Sequence, residues 1–462
     1  MRKKFLLDTN ILMRSPNAIY VFDDNDVLIC STTLEELDDL KNRPGETGYN
    51  AREAIRVLND LSANGHNLYD GVKLPNSGTL KIVKDCTPDE AEKTKGMLPR
   101  EWSLGKPDNR IINTAIKNDA ILVTNDISMS LKAQSTGLKT ENFKNEEVSD
   151  ESLQYTGRKI VYTSSDNINK LYQGQSLDTE DVYEYGDTVK ENTYQEADLE
   201  INEFLIIKDV ANPSHTVLAY YNGTDIVKTK FENSKPCDVK ARNVGQRFAI
   251  EALMTPADEV PLVILKGSAG TAKTFLSLAC GLEQAMNHND YKKLLILRPN
   301  IKFDEDIGYL KGDEMDKILP LIRPCLDNLE ALVSNKDDSS EESKDKIAHL
   351  FDAGYVTAEA LAYLRGRSIA NTYILIDEAQ NTTPNQMLGI ITRAGVGSKI
   401  VIVGDPEQID NPKVDRKNNG LVYAAEKMKG SKLCMQLTFE DEECTRSPLA
   451  LEASQLLTEP NR

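Results

Sequence analysis

The stretch Gly267-Ser268-Ala269-Gly270-Thr271-Ala272-Lys273-Thr274 lies between an apolar run, Leu262–Leu265, and a helical pattern from Phe275 to Met286. Strand, glycine-rich turn and helix in that order build a phosphate cradle. Backbone N–H groups and the helix N-terminus bind phosphate oxygens, Lys273 reaches the β- and γ-phosphates, and Thr274 holds Mg²⁺. The pattern departs from GxxxxGK[ST] at one position, where Ala272 stands for the second glycine. Further along, the apolar run Tyr373–Ile376 ends in Asp377-Glu378, and Lys399–Val403 ends in Gly404-Asp405-Pro406-Glu407-Gln408. An acid at the end of a second strand is where the Mg²⁺ partner of a phosphate loop must lie, which assigns Asp377. The adjacent Glu378 is then free to orient water. Three strand-terminal polar clusters in this order predict a parallel α/β sheet that binds a nucleoside triphosphate.

The chain of 462 residues has room for two to four domains. Its 40% hydrophobic and 28% charged residues are those of an ordinary globular protein. No apolar run is long enough to span a bilayer, and Asp8 cuts short the run after the basic start Arg2-Lys3-Lys4. Seven scattered cysteines without a CxxC pair read as reduced thiols, consistent with a cytoplasmic protein. The four histidines lie away from the motifs, which argues against histidine-based metal or triad chemistry. A net charge of −18 excludes a broadly basic surface, so any nucleic acid would need a local basic channel or an arginine-lined interior. The run Asn335–Asp345 reads as a solvated acidic loop, an exposed insertion without chemistry.

Residues 1–150 alternate strand-like runs (Lys4–Leu7, Val27–Cys30, Ala120–Val123) with helical patterns (Leu34–Leu40, Ala51–Leu61, Ile111–Lys117). Such alternation implies a parallel sheet covered by helices. Residues 151–238 read as a linker and small β-module, with strands at Phe204–Ile207, Thr216–Tyr221 and Ile226–Phe231 and a hairpin signal at Asn222-Gly223. From 239 to 462 strand–helix alternation returns around the phosphate loop.

Carboxylates cluster at the ends of the first region's elements. Asp8 follows the first strand, Glu35 and Glu36 follow Ser31–Leu34, Asp108 opens a helix, and Asp126 ends the run that starts at Ile121. Each alone reads as a helix cap, and Thr32 with Glu35 fits a capping box, which leaves Glu36 to face inward. Together Asp8, Glu36, Asp108 and Asp126 are expected to converge on one sheet edge. Carboxylates packed that closely take up protons unless a divalent cation neutralises them, and hard oxygen ligands suit Mg²⁺ or Mn²⁺.

The set Leu7-Asp8-Thr9-Asn10, Leu34–Asp38, Pro107–Ile111 and Thr124-Asn125-Asp126 resembles the PIN-domain ribonucleases. The resemblance implies metal-dependent hydrolysis of single-stranded RNA by those four acids. The region from about 240 resembles the PhoH ATPases, relatives of superfamily 1 helicases. It does so through Gly267–Thr274, Leu361–Arg367, Ile376–Asn381, Thr392-Arg393, Gly404–Asp410 and Arg446–Ala450. On that resemblance Gln246 reads the adenine edge, Gln408 joins the nucleotide site and Arg446 contacts the γ-phosphate. Arg298, Arg365, Arg367 and Arg393 are further candidates for phosphate sensing or RNA contact.

The order of regions resembles the fused PIN–PhoH proteins. It implies a PIN-like parallel sheet domain, a small β-rich module and a RecA-like P-loop NTPase domain, assembled as a homo-oligomer in the form of a hexameric ring. The expectation is an enzyme that couples ATP-driven RNA unwinding or translocation to RNA cleavage. ATP and Mg²⁺ are its cofactors, with Mn²⁺ as an alternative in the nuclease site, RNA is its partner and no membrane is involved. The alternatives are a nucleotide-gated ribonuclease or toxin without unwinding, and a nucleotide-switched scaffold with a degenerate PIN domain.

Overall fold

The computed structural model describes residues 2–43, 45–62, 67–75, 77–87, 90, 98, 106–143, 155–185, 194–299, 314–334, 338–361, 368–412 and 414–445. The chain divides into two compact units, Met1–Glu146 and Glu147–Arg462.

In the first unit, β1 (Lys4–Leu7), β2 (Asp26–Cys30), β3 (Val72–Lys73), β4 (Thr79–Val83), β5 (Ile121–Val123) and β6 (Thr140–Glu141) form one sheet in the order β3-β4-β2-β1-β5-β6. All its pairings are parallel except β3 with β4. The central strands β1, β2 and β5 are largely buried on both faces, so Phe5–Leu7, Val27–Cys30 and Ile121–Val123 read as unbroken apolar runs. Phe5, Leu7, Val27 and Ile29 meet Ile11, Leu37, Ala54 and Leu58 on one side. Leu6, Leu28 and Leu122 meet Ile111, Ile112 and Met129 on the other. Because β1 lies between β2 and β5, the residues after these strands emerge side by side at one sheet edge.

The second unit carries two sheets. β7 (Arg158–Thr163), β8 (Tyr183–Tyr185), β9 (Tyr194–Glu196), β10 (Phe204–Asp209), β11 (Thr216–Tyr221) and β12 (Ile226–Lys228) run in the order β12-β11-β10-β7-β8-β9. The helix Ser165–Tyr172 covers one face through Ile168 and Leu171. On the other face Phe204, Leu218 and Tyr220 join the core built around the helix Val244–Met254, where Phe204 stacks on Phe248 with ring centroids 4.7 Å apart. The β-rich sheet therefore shares a core with the region that carries the phosphate loop. The Asn222-Gly223 signal marks a hairpin as expected. Its loop runs to Asp225, and the Asn222 side chain accepts from the amides of Thr224 (2.9 Å) and Asp225 (2.8 Å).

The third sheet is β13 (Leu262–Lys266), β14 (Leu294–Arg298), β15 (Val356–Ala360), β16 (Tyr373–Ile376), β17 (Lys399–Gly404) and β18 (Cys434–Thr438), in the order β15-β14-β16-β17-β13-β18 and parallel throughout. Helices Val244–Met254 and Lys273–Met286 pack on one face and Pro384–Ile391 and Gly420–Lys427 on the other. The strands β16, β17 and β13 are consecutive in the sheet, so the loops after them meet at one edge.

The structure corrects two local expectations. Thr32 does not form a capping box with Glu35: it lies inside the helix Ser31–Leu40, and its amide and hydroxyl bond Asp85 (3.1 and 2.7 Å). The acidic run is in part the helix Ser340–Asp352, entered through a capping box between Ser339 and Glu342; residues 335–337 lie outside the described residues. Among the described residues no helix is long and apolar enough to cross a membrane. All seven cysteines are free thiols.

Candidate functional site

The phosphate loop takes its shape from three positive-φ residues, Gly267 (144°), Gly270 (94°) and Ala272 (69°). Ala272 occupies the N-cap of the helix Lys273–Met286 in the left-handed region, so the position that usually carries glycine here carries a strained Cβ. Lys273 is buried, and its ammonium donates to the carbonyls of Gly267 (2.7 Å) and Ser268 (2.8 Å) and to Thr271 Oγ1 (3.2 Å). It thus points back along the loop it belongs to. Thr274 Oγ1 donates to Asp377 Oδ1 at 2.8 Å, which joins the loop to the end of β16. Cys325, buried on the helix Glu314–Val333, donates to Asp377 Oδ2 at 3.5 Å.

Glu378 comes next at φ 54°, a left-handed conformation costly for a non-glycine residue. One carboxylate oxygen pairs with Arg298 Nη2 (3.0 Å) and the other accepts from Gln380 Nε2 (2.6 Å). Gln380 is fully buried. It also donates to the Gln408 carbonyl (2.9 Å) and accepts the Asp405 amide (3.2 Å), so it ties the end of β16 to the end of β17. Asp405 Oδ2 in turn accepts the Ala269 amide at 2.8 Å. These groups line a cleft of about 360 Å³, which includes Ala269, Lys273, Thr274, Asp377, Glu378 and Gln408. Asn328, Asp405 and Thr445 also line it. Of these, Asn328 and Thr445 carry no signal at sequence level, since neither belongs to a strand-end motif.

The other described candidates of this unit do not themselves line the cleft, although Arg298 is tied to it through Glu378. Gln246 lies on the helix Val244–Met254, is 3% exposed, and accepts the Arg242 amide at 2.8 Å. Arg298 pairs with Glu378, and Arg393 donates to the Gly389 carbonyl at 2.8 Å. Arg365, Arg367 and Arg446 lie outside the described residues.

In the first unit, Asp8 is 6% exposed at the end of β1 and accepts from Thr124 Oγ1 at 2.7 Å. Burial pushes its carboxyl up to about 6, with the negative charges of Glu36 and Asp108 adding to the rise. Those three acids therefore share one field. Glu36 accepts from Thr9 Oγ1 at 2.5 Å, while Glu35 points to Arg110 (3.3 Å), so Glu36 is the inward one of the pair. Asp108 pairs with Lys132 at 3.5 Å. Asp126 is linked indirectly: its amide donates to Thr124 Oγ1 (3.0 Å), and its carboxylate caps the helix Ile127–Ser135 at Met129 N (2.9 Å). Thr124, fully buried between Asp8 and Asp126, is the organising hydroxyl that strand-end acids alone do not reveal.

Among the described residues no three His, Cys, Asp or Glu side chains are drawn together closely enough to hold a metal ion as they stand. The donor set nevertheless suits a hard cation. Asn10 Oδ1 is buried with no hydrogen-bond donor, and its Nδ2 bonds Thr124 Oγ1 (3.3 Å), beside Asp8. An acceptor without a donor, next to mutually repelling carboxylates, is relieved by a cation.

Residues 5–144 match the PIN domain family and residues 238–458 match the family of PhoH-like proteins. The chain is 36% identical over 470 residues to Protein PhoH2 of Bacillus subtilis, across 99% of this chain and 100% of that protein. It is 28% identical to Protein PhoH2 of Thermobispora bispora, across 98% of this chain and 96% of that protein. A solved domain of a functionally unknown protein from Methanocaldococcus jannaschii is 20% identical, covers 33% of this chain and 97% of that domain, and gives a TM-score of 0.22. With a PIN domain, a PhoH domain and similarity to PhoH2 proteins along its whole length, the chain belongs to the PhoH2 family.

Proposed function

We propose that this protein is an ATP-driven RNA-processing enzyme in which the PhoH half moves or opens RNA and the PIN half cuts the strand. The observation that carries the reading is the Thr274–Asp377 hydrogen bond at the mouth of a cleft that also holds Lys273 and Glu378. A phosphate in this cleft draws the Lys273 ammonium away from the Gly267 and Ser268 carbonyls, exchanging neutral acceptors for an anionic one. The amides of the loop and of the helix N-terminus meet the remaining oxygens. Thr274 and Asp377 would hold Mg²⁺, which supplies charge neutralisation at the phosphates. Glu378 orients the attacking water, and Arg446 contributes positive charge at the γ-phosphate. The adenine edge is assigned to Gln246, whose amide pairs a donor with an acceptor.

In the PIN half, Asp8, Glu36 and Asp108 would hold Mg²⁺ or Mn²⁺, with Asp126 completing the set from the neighbouring strand end. The cation supplies an activated water and charge stabilisation at the leaving oxygen. Thr124 fixes Asp8, and Thr9 fixes Glu36, so that both present oxygens inward. A cytoplasmic ring of identical subunits belongs to the same proposal.

The test is a crossed assay of ATP hydrolysis and single-stranded RNA cleavage on purified protein. Asp8→Asn and Asp126→Asn are expected to lose cleavage and keep ATP hydrolysis; Lys273→Ala is expected to do the reverse. Cleavage at the parent rate in both aspartate variants would place the nuclease chemistry elsewhere.

A further inference from the structure

We propose that the β-rich sheet is a working part of the nucleotide site, with Arg158 as a positioning residue that acts through Glu443 on the phosphate loop. This rests on the ATPase reading and adds to it a connection that no strand-end motif contains.

Arg158 opens β7, and its side chain is 6% exposed. Its two terminal nitrogens donate to the two oxygens of Glu443 at 3.0 and 2.9 Å, the parallel fork that arginine makes with a carboxylate. Glu443 also accepts the amides of Gly245 (2.7 Å) and Glu440 (3.0 Å). A Cβ on Gly245 would collide with that carboxylate, so glycine is what lets the helix Val244–Met254 begin against it.

The segment around Glu443 grips the phosphate loop from behind. Phe439 N donates to the Lys266 carbonyl at 2.8 Å, and a Cβ on Gly267 would lie 2.8 Å from Phe439 Cβ. Cys444 Sγ donates to the Ala269 carbonyl at 3.6 Å. Thr445 donates to the Gly270 carbonyl through both its amide and its hydroxyl, each at 2.9 Å. Thr445 itself lines the cleft. These bonds fix the peptide planes of the loop, whose Ala269 amide already donates to Asp405, and so set where its remaining amides point. Glu443 is the pin of the clasp, and Arg158 is the charge that lets a carboxylate sit there. Without it, a buried anion keeps only two amides and the clasp loosens. A lysine cannot reproduce the fork.

A second buried tie between the β-rich sheet and the ATPase region serves as the control. Asn202 Nδ2 donates to the carbonyls of Ser431 (3.2 Å), Lys432 (3.1 Å) and Cys434 (3.2 Å), at the opposite end of β18 from the phosphate loop.

The experiment compares the full-length parent with Arg158→Lys, Glu443→Gln and Asn202→Ala. A fluorescent ATP analogue is titrated at equilibrium, ATP hydrolysis is followed at steady state, and thermal unfolding is recorded for each. Arg158→Lys and Glu443→Gln are expected to raise the analogue's Kd and the KM for ATP about tenfold, with kcat within about threefold of the parent. Asn202→Ala is expected to lower the melting temperature and leave Kd and KM unchanged. Parent-like Kd and KM in both Arg158→Lys and Glu443→Gln overturn the proposal. So does an equal shift in Asn202→Ala, which would mean that any loosening of the shared core is felt in the cleft. A parent that binds no ATP analogue removes the ATPase reading itself, a different result from binding that fails to respond to Arg158.

Discussion

At Ala272 the backbone adopts φ 69° with a methyl group present. The left-handed conformation costs an alanine about 1–2 kcal/mol that a glycine does not meet. Ala272→Gly is therefore expected to change nucleotide affinity or turnover by no more than about tenfold, since about 1.4 kcal/mol corresponds to a factor of ten. Equilibrium titration and steady-state kinetics check this, and a gain of several orders of magnitude would show the natural loop to be crippled. In the PIN half the comparable position is Thr124, whose hydroxyl donates to Asp8 and accepts from the Asp126 amide. Thr124→Val keeps the shape and removes both bonds, together with the one the hydroxyl accepts from Asn10 Nδ2. By analogy with groups that orient metal ligands, single-strand cleavage should fall roughly 10–100-fold while ATP hydrolysis stays at the parent rate. Equal activity in a cleavage time course would leave Thr124 as packing alone.

Among the elements, β17 carries an unusual start. Lys399 is fully buried at its first position, and its ammonium donates to the carbonyls of Ala252 (2.8 Å), Thr255 and Val260 (3.3 Å). It closes the carboxyl end of the helix Val244–Met254, where unsatisfied carbonyls concentrate negative partial charge. Burial lowers its amine from the ordinary 10.5 to about 7. Between those two values the unfolded chain binds the proton and the folded chain does not, so folding gains stability as pH rises. The burial cost is present in full below about pH 7 and is relieved toward pH 10.5. Lys399→Met should strand the carbonyls and cost about 1–3 kcal/mol. The parent's advantage over Lys399→Met, from urea unfolding at a series of pH values, should widen from about pH 6 to about pH 9. A constant difference would mean that the three carbonyls hold Lys399 charged throughout.

For the whole molecule, the consequential proposal is that the PhoH half feeds the PIN half. Lys273→Ala removes a charge contact to phosphate and should stop ATP turnover. Asp8, Glu36, Asp108 and Asp126 are untouched by it, so unpaired RNA should still be cut. A duplex with a single-stranded tail should then be cut within the tail and no further. Mapping cleavage positions on that substrate, with ATP, for parent and Lys273→Ala decides the matter. If both proteins cut equally far into the duplex, or neither enters it, coupled unwinding fails and a nucleotide-gated ribonuclease is the better reading.

The amino-acid order alone carries those parallel strands that are unbroken apolar runs, the phosphate-loop motif and the acids that follow such strands. The mixed runs Thr79–Val83 and Val356–Ala360 become strands only by pairing with their neighbours. Buried parallel strands need unbroken apolar stretches such as Leu262–Leu265 and Tyr373–Ile376, and the polar residue after each must emerge at the same edge. The preference for Glu36 over Glu35 rested on a capping box that does not form; what separates the two is the Thr9 hydroxyl on Glu36 and the Arg110 charge on Glu35. Tertiary structure alone decided the partners that come from distant segments. Arg158 with Glu443, Arg298 with Glu378, Thr32 with Asp85 and Lys399 with the helix end at Ala252 each join residues far apart in the chain. No local pattern encodes such pairs, because a hydrogen bond or ion pair depends on distance in space, and packing of the sheets and helices sets that distance.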